Sequence, residues 1–271
     1  MKKFLIVVFV LLFLLLAAVF GYVLLNGEDK PFKLSDDGTL EVSGGKTSQK
    51  DKESSEKFKK ELNVKKEMAT EADILEILDY EKGKNQDVCA YLKIDGTKIS
   101  DVVLQSFDNN VYLRRNEKKE YDVFGCYFAD ADCSVSTGDK LSSNTVIYGH
   151  SDLKDNPDGK RFSQLFKYTD EVFAREHPYI TLATLQDNMK WEIFSVFYTD
   201  TSFNYIDAEP EKGVSALAKQ AKEKSLFDFG IDVEDDDKIL TLSTCSVKYG
   251  NDKKQRFVVM AKLLDDEQSN K

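Results

Sequence analysis

Hydrophobic positions change their spacing three times along the chain. From Phe4 to Leu25 they run almost without a break, interrupted only by Gly21 and Tyr22. At about 1.5 Å per helical residue this run would span roughly 33 Å, close to the ~30 Å hydrocarbon core of a bilayer. Residues 1–26 are therefore expected to form a transmembrane anchor. A cleaved signal peptide competes with that reading, but its apolar region usually has only about 7–15 residues and no clear A-x-A site follows here. Lys2 and Lys3 precede the run and Glu28 follows it. The positive-inside tendency then leaves the N-terminus in the cytoplasm and the remainder outside the cell, as in a single-pass protein of the cell membrane.

Residues 27–67 are rich in Lys, Glu, Asp, Ser and Gly, with Gly44-Gly45 and a dense charge run from Lys50 to Lys60. So little apolar surface predicts a polar extracellular spacer. Towards its end, Phe58, Leu62, Val64, Met68, Ile74, Leu75 and Leu78 recur at loosely helical spacing, so one or two helices should lead into a domain over residues 68–271.

The period then shortens to two. Ala90–Ile94, Asp101–Gln105, Asn144–Tyr148, Tyr179–Ala183, Lys190–Tyr198, Lys238–Thr244 and Arg256–Leu264 are short and rich in β-branched or aromatic residues. Turn-forming clusters such as Asn-Pro-Asp-Gly separate several of them. The pattern predicts a mainly β domain, a barrel or a sandwich. The exception is Glu209–Ser225, where Val214, Leu217, Ala218, Ala221 and Leu226 return to helical spacing behind Pro210. One helix is thus expected late in the chain, with Trp191 in the core.

Composition narrows the partners. With 41% hydrophobic residues, the 271-residue chain supports one ordinary core plus appendages. A formal net charge of -10 argues against a general affinity for nucleic acid. No phosphate loop or nucleotide fingerprint is present, and no cofactor is expected. The acidic cluster Glu234-Asp-Asp-Asp237 lacks the spaced ligands of a calcium loop and reads as a solvated turn.

Candidate chemistry begins with scarcity. The four cysteines, Cys89, Cys126, Cys133 and Cys245, form no C-x-x-C pair, and the two histidines show no ligand spacing, so no metal site is expected. Cys89, Cys126 and Cys133 read as small buried hydrophobes. Cys245 ends the strand Lys238-Ile-Leu-Thr-Leu-Ser-Thr-Cys245, in which alternation puts Ile239, Thr241, Ser243 and Cys245 on one face. The strand leading to Tyr148-Gly-His150 delivers an imidazole in the same way, with Gly149 allowing close backbone approach. Arg256 opens the last strand, and a hairpin between the last two strands would bring it to the open end that carries Cys245. Thiol, imidazole and guanidinium then have definite tasks in acyl transfer: attack on a carbonyl, protonation of the leaving amine, and stabilisation of the oxyanion.

Thr241-Leu-Ser-Thr-Cys245 followed by Arg256-Phe-Val-Val259, with Tyr148-Gly-His150 upstream and an N-terminal apolar anchor, resembles the sortase family. The likeness extends from about Cys89 to Leu264 through Tyr91-Leu-Lys-Ile-Asp-Gly96, Asp108-Asn-Asn-Val-Tyr-Leu113 and Asn144-Thr-Val-Ile-Tyr-Gly-His150. The helix before the cysteine strand and the helical lead-in look like class B. This resemblance implies an eight-stranded β-barrel with N-terminal helices and the inserted helix, behind a transmembrane helix. It implies a cysteine transpeptidase that cleaves a C-terminal sorting signal after Thr through a thioester. The surface protein would then pass to an amine of the peptidoglycan precursor or cross-bridge.

Matched motif by motif, Cys245, His150 and Arg256 take the family's catalytic positions. Asn109, Leu113, Tyr148, Thr201, Tyr205, Ile206 and Ser243 match positions lining the signal-peptide groove in class B relatives. The connection from Cys245 to Arg256 is about one residue longer than the resemblance leads one to expect, and a register slip there would turn Arg256 to the wrong face. A pilin-polymerising sortase and a catalytically silent, membrane-tethered binding domain are the alternatives. The order His150 before Cys245, on strands, counts against a papain-like hydrolase.

Overall fold

The computed structural model describes residues 69–135, 140–152, 154–250 and 254–265, together with the backbone of residues 33–34 and 40–41. The expected anchor over 1–26 lies outside the described residues, as does nearly all of the spacer. The chain divides into two compact units, Met1–Ser55 and Glu56–Lys271. In the first, Lys33–Leu34 pairs antiparallel with Leu40–Glu41.

The second unit is a closed barrel of eight strands: β1 Val88–Lys93, β2 Ser100–Leu104, β3 Tyr127–Ala129, β4 Asn144–Tyr148, β5 Tyr179–Ala183, β6 Asn188–Asp200, β7 Ile239–Cys245 and β8 Gln255–Leu263. Their order around the barrel is β8-β6-β5-β1-β2-β3-β4-β7, closing back on β8. Two neighbouring pairs are parallel, β2 with β3 and β4 with β7; the others are antiparallel. Closure leaves no free sheet edge to pair with another chain. Seven of the strands coincide with the period-two segments, and β3 is the addition.

Alternation along the strands sorts the core into three clusters. Leu240 and Leu242 of β7, Phe257 and Val259 of β8, and Trp191 of β6 join the large interior cluster. A 3-10 helix, Arg161–Thr169, contributes Phe162, Leu165, Phe166 and Tyr168 to it, followed by the short helix α2, Glu171–Glu176. Neither helix is among the elements expected from the sequence.

The second cluster lies beneath helix α1, Glu71–Lys84, whose Ile74, Ile77 and Leu78 pack with Tyr91, Val102 and Leu104. Thr70 caps this helix in a capping box with Asp73, satisfying donors that would otherwise lack partners. The third cluster sets Val214, Leu217, Ala218 and Ala221 of helix α3, Val214–Lys224, against Ile239, Val258 and Met260. The late helix is therefore where expected, but shorter. Pro210 sits before it in a turn closed by Gly213 N–H to the Pro210 carbonyl at 2.9 Å.

Candidate active site

Strand register alone brings three side chains together. In the parallel β4–β7 pair Tyr148 is in register with Ser243. The ladder continues past the strand end, with Gly149 N–H donating to the Ser243 carbonyl at 3.3 Å. Two residues further along the two segments come His150 and Cys245, and the neighbouring Ser151 Oγ reaches the Cys245 carbonyl. In the antiparallel β7–β8 pair Arg256 is the direct partner of Cys245. Adjacent strands lie about 4.7–4.9 Å apart, so Cys245 and Arg256 on paired strands, and His150 just beyond the end of β4, share one end of the barrel. Despite the long connection between Cys245 and Arg256, no register slip occurs.

Local chemistry explains why these ends are firm. Thr244 Oγ1 donates to the Gly149 carbonyl at 2.7 Å and Ser151 Oγ to the Cys245 carbonyl at 2.6 Å, lacing the two segments together. A Cβ on Gly149 would meet the Phe162 ring at 2.8 Å, so glycine lets the β4 end pack onto the 3-10 helix. The loop after Cys245 is held by Asp155, whose carboxylate accepts from Ser246 Oγ at 2.6 Å and from Val247 N–H at 3.0 Å. The Gln255 side chain closes the same loop, accepting from Tyr249 N–H and donating to the Gly250 carbonyl.

All four cysteines are free. Burial pushes the Cys89 thiol up to about 12 and that of Cys133 up to about 11, and raises Cys126 as well. These three stay protonated and unreactive near neutrality, because the thiolate is the nucleophile. Cys245 alone is solvent-exposed.

His150 is half-buried, and burial holds its pKa below the ordinary value, opposed by a hydrogen bond to the Leu113 carbonyl. That bond is 2.7 Å long from Nε2. A carbonyl only accepts, so Nε2 carries a proton, and in the neutral ring the lone pair is on Nδ1. Arg256 is half-buried and donates from Nη1 to the Gln255 carbonyl at 2.9 Å.

The seven expected groove residues separate into two groups. Leu113, Thr201 and Ile206 are exposed around the reactive end. Tyr205 and Ser243 are buried beneath it, joined hydroxyl to hydroxyl at 2.8 Å. Tyr148 and Asn109 are tied to one carboxylate, with the Tyr148 hydroxyl 2.7 Å and Asn109 Nδ2 2.9 Å from Asp130 Oδ2. Their side chains therefore have internal partners and shape the floor of the site. Asp130 and Asp155 escaped the sequence reading, since a loop aspartate has no periodic signature.

A family model described as a sortase domain matches residues 92–264. Sortase B of Listeria monocytogenes is 36% identical over 191 residues, covering 70% of this chain and 74% of that protein. The chain belongs to the sortase family. Its class B membership is supported by sortase B of Staphylococcus aureus as well, 31% identical over 66% of this chain and 71% of that protein. A solved Staphylococcus aureus sortase B–substrate complex superposes with a TM-score of 0.66 at 27% identity, covering 81% of this chain and all of that one. A sortase B complexed with triglycine gives a TM-score of 0.66 at 25% identity, over 79% and 99% of the two chains. Sortases are cysteine transpeptidases, and in this sortase the row at the barrel end holds the one exposed thiol.

Proposed function

We propose that this sortase cleaves the C-terminal sorting signal of surface proteins after a threonine and joins the freed carboxyl to an amine of the peptidoglycan precursor or cross-bridge. The observation that carries this reading is the Cys245–Arg256 register with His150 alongside. The Cys245 thiol passes its proton to His150 Nδ1, and Sγ attacks the threonine carbonyl carbon. The carbonyl oxygen becomes an oxyanion facing the Arg256 guanidinium, a fixed cation with a fork of donors. As the C–N bond breaks, the imidazolium gives its proton to the departing amine, leaving a thioester. The acceptor amine then attacks that thioester, loses a proton to His150 and expels Sγ as a thiolate, which takes the proton back from the imidazolium and closes the cycle.

The exposed Leu113 and Ile206 would line the peptide groove above the Tyr148, Tyr205 and Ser243 floor. A relative solved with substrate and another with triglycine, which carries a free amine, support both halves of the reaction. We assign residues 1–26 to a membrane anchor and 27–67 to a spacer, with residues 68–271 outside the cell, from the length of the apolar run and its flanking lysines.

Intact-mass spectrometry of the protein incubated with short peptides of the Pro-x-Thr type tests the chemistry. An adduct of the fragment ending at Thr is expected on the parent and absent from Cys245→Ala. An equal adduct on Cys245→Ala would end the mechanism.

A further inference from the structure

Between β2 and β3 the chain passes over His150, and one tyrosine there is held with more bonds than packing requires. Tyr112 is buried. Its hydroxyl donates to Asp87 Oδ2 at 2.6 Å and accepts from Asn85 Nδ2 at 2.9 Å. Asn85 is the C-cap of helix α1, and its amide also donates to the Glu117 carbonyl at 2.9 Å. Lys119 pairs with Asp87 at 2.9 Å, so residues 85–87 hold both ends of the 112–119 segment. The next residue, Leu113, offers its carbonyl to His150 Nε2. From the other side Gly125, at φ +55°, lies so close that a Cβ would stand 2.5 Å from the Tyr112 carbonyl oxygen and 2.8 Å from that of Leu113.

We infer that Tyr112 is a positioning residue for His150: its hydroxyl, locked between Asn85 and Asp87, fixes the Leu113 carbonyl and thereby which ring nitrogen carries the proton. A continuous set of bonds then runs from the cap of α1 to the acid/base group. A carbonyl facing Nε2 favours the Nε2–H form and keeps the Nδ1 lone pair for the thiol proton. The same bond stabilises the imidazolium, so it opposes the effect of burial. The other charges felt at His150 are Arg114, which disfavours its protonation, and Asp122, which favours it. Cys245 and Arg256 occupy the neighbouring strand ends.

This inference rests on His150 being the acid/base group, and the test separates the two. The chain has only two histidines, so proton–nitrogen spectra of the ring-labelled protein report His150 with His177 as internal reference. In Tyr112→Phe the Nε2–H preference should weaken and the His150 pKa should fall further. The acid limb of kcat/KM, which reports the neutral imidazole acting as base, should move to lower pH, and the rate at the plateau should drop about tenfold to a hundredfold. Gly125→Ala, which displaces the same carbonyl directly, should move the ring signals in the same direction. Tyr91→Phe is the control: Tyr91 is equally buried in the same cluster, and its hydroxyl meets Ser100 Oγ at 2.9 Å. It should leave the His150 signals in place. Unchanged His150 tautomer and titration in Tyr112→Phe, or equal changes in Tyr91→Phe, would overturn the positioning role. Displaced ring signals with parental thioester formation would instead remove His150 from the chemistry.

Discussion

Cys245 and Arg256 are direct partners across the antiparallel β7–β8 ladder, the last residue of one strand facing the second of the next. A direct pair places both side chains on the same face of the sheet, so the cation is fixed by backbone register and not by a flexible loop. Removing an oxyanion donor typically costs about a hundredfold to a thousandfold in rate. Arg256→Ala should lose thioester formation by that factor, while Cys245 still reacts with a small alkylating agent. Arg256→Lys should recover little, since a point charge does not reproduce the guanidinium fork. Parental rates in Arg256→Ala, followed by mass spectrometry, would remove the oxyanion role.

The depressed pKa of His150 has a consequence for stability. An unfolded histidine titrates near 6.5. With the folded value lower, the unfolded chain takes up the proton first as the pH falls. The resulting penalty on the folded state is absent above about 6.5, grows below it and levels off beneath the folded pKa. His150→Gln removes this term. Urea unfolding at pH 7 and pH 5 should show the variant gaining on the parent at the lower pH. A constant difference between the two proteins would mean that His150 keeps its unfolded value.

The row of His150, Cys245 and Arg256 is legible in the sequence because each member lies at or just beyond the end of a strand with a clear pattern. Alternation places Ser243 and Cys245 on one face, and that face is turned away from Leu240 and Leu242 of the barrel interior. Strand β3 is not legible. Its three residues are too few for a period, and it pairs in parallel through Val103–Tyr127 and Leu104–Phe128 alone. The 3-10 helix is overlooked although buried Phe162, Leu165 and Phe166 recur at helical spacing, because the segment is only nine residues long and lies between turn-forming stretches. Groups supporting the site are the least visible. Asp130, Asp155 and Tyr112 act through backbone groups or side chains far away in sequence, and only the folded chain brings these together.

Asp155 illustrates this. It adopts φ 50°, a conformation in which a short polar side chain is tolerated, and its carboxylate binds the two residues after Cys245. Hydrogen bonds to a charged acceptor contribute about 1.5–3 kcal/mol when well shielded, and somewhat less at this half-exposed site. Asp155→Ala should destabilise the protein by about 1–2 kcal/mol. It should also slow thioester formation by loosening the Cys245 carbonyl side of the cleft. Asp155→Asn, which tolerates the same backbone and keeps an acceptor, should fall between the two. Equal unfolding midpoints and rates in all three proteins would dismiss the clamp.

Asn144 makes the strongest case for a buried side chain acting on the groove. It is wholly buried at the start of β4, and Nδ2 donates to the carbonyls of Tyr205 at 3.0 Å and Asp207 at 2.9 Å. Its Oδ1 accepts from Thr241 Oγ1 at 2.7 Å, and its N–H donates to the Ala208 carbonyl. One side chain thus ties the segment bearing Tyr205 and Ile206 to strands β4 and β7. Asn144→Leu keeps the volume but strands a buried hydroxyl and two carbonyls, each costing about 1–3 kcal/mol if no water reaches it. A loss of about 3 kcal/mol is expected in urea unfolding, together with a raised KM for the sorting peptide as Ile206 shifts. Adding Thr241→Val removes one of the stranded groups, so the double variant should be more stable than Asn144→Leu even though Thr241→Val alone is destabilising. The two losses would simply add if the residues acted independently, and that outcome would break the link between the barrel and the groove.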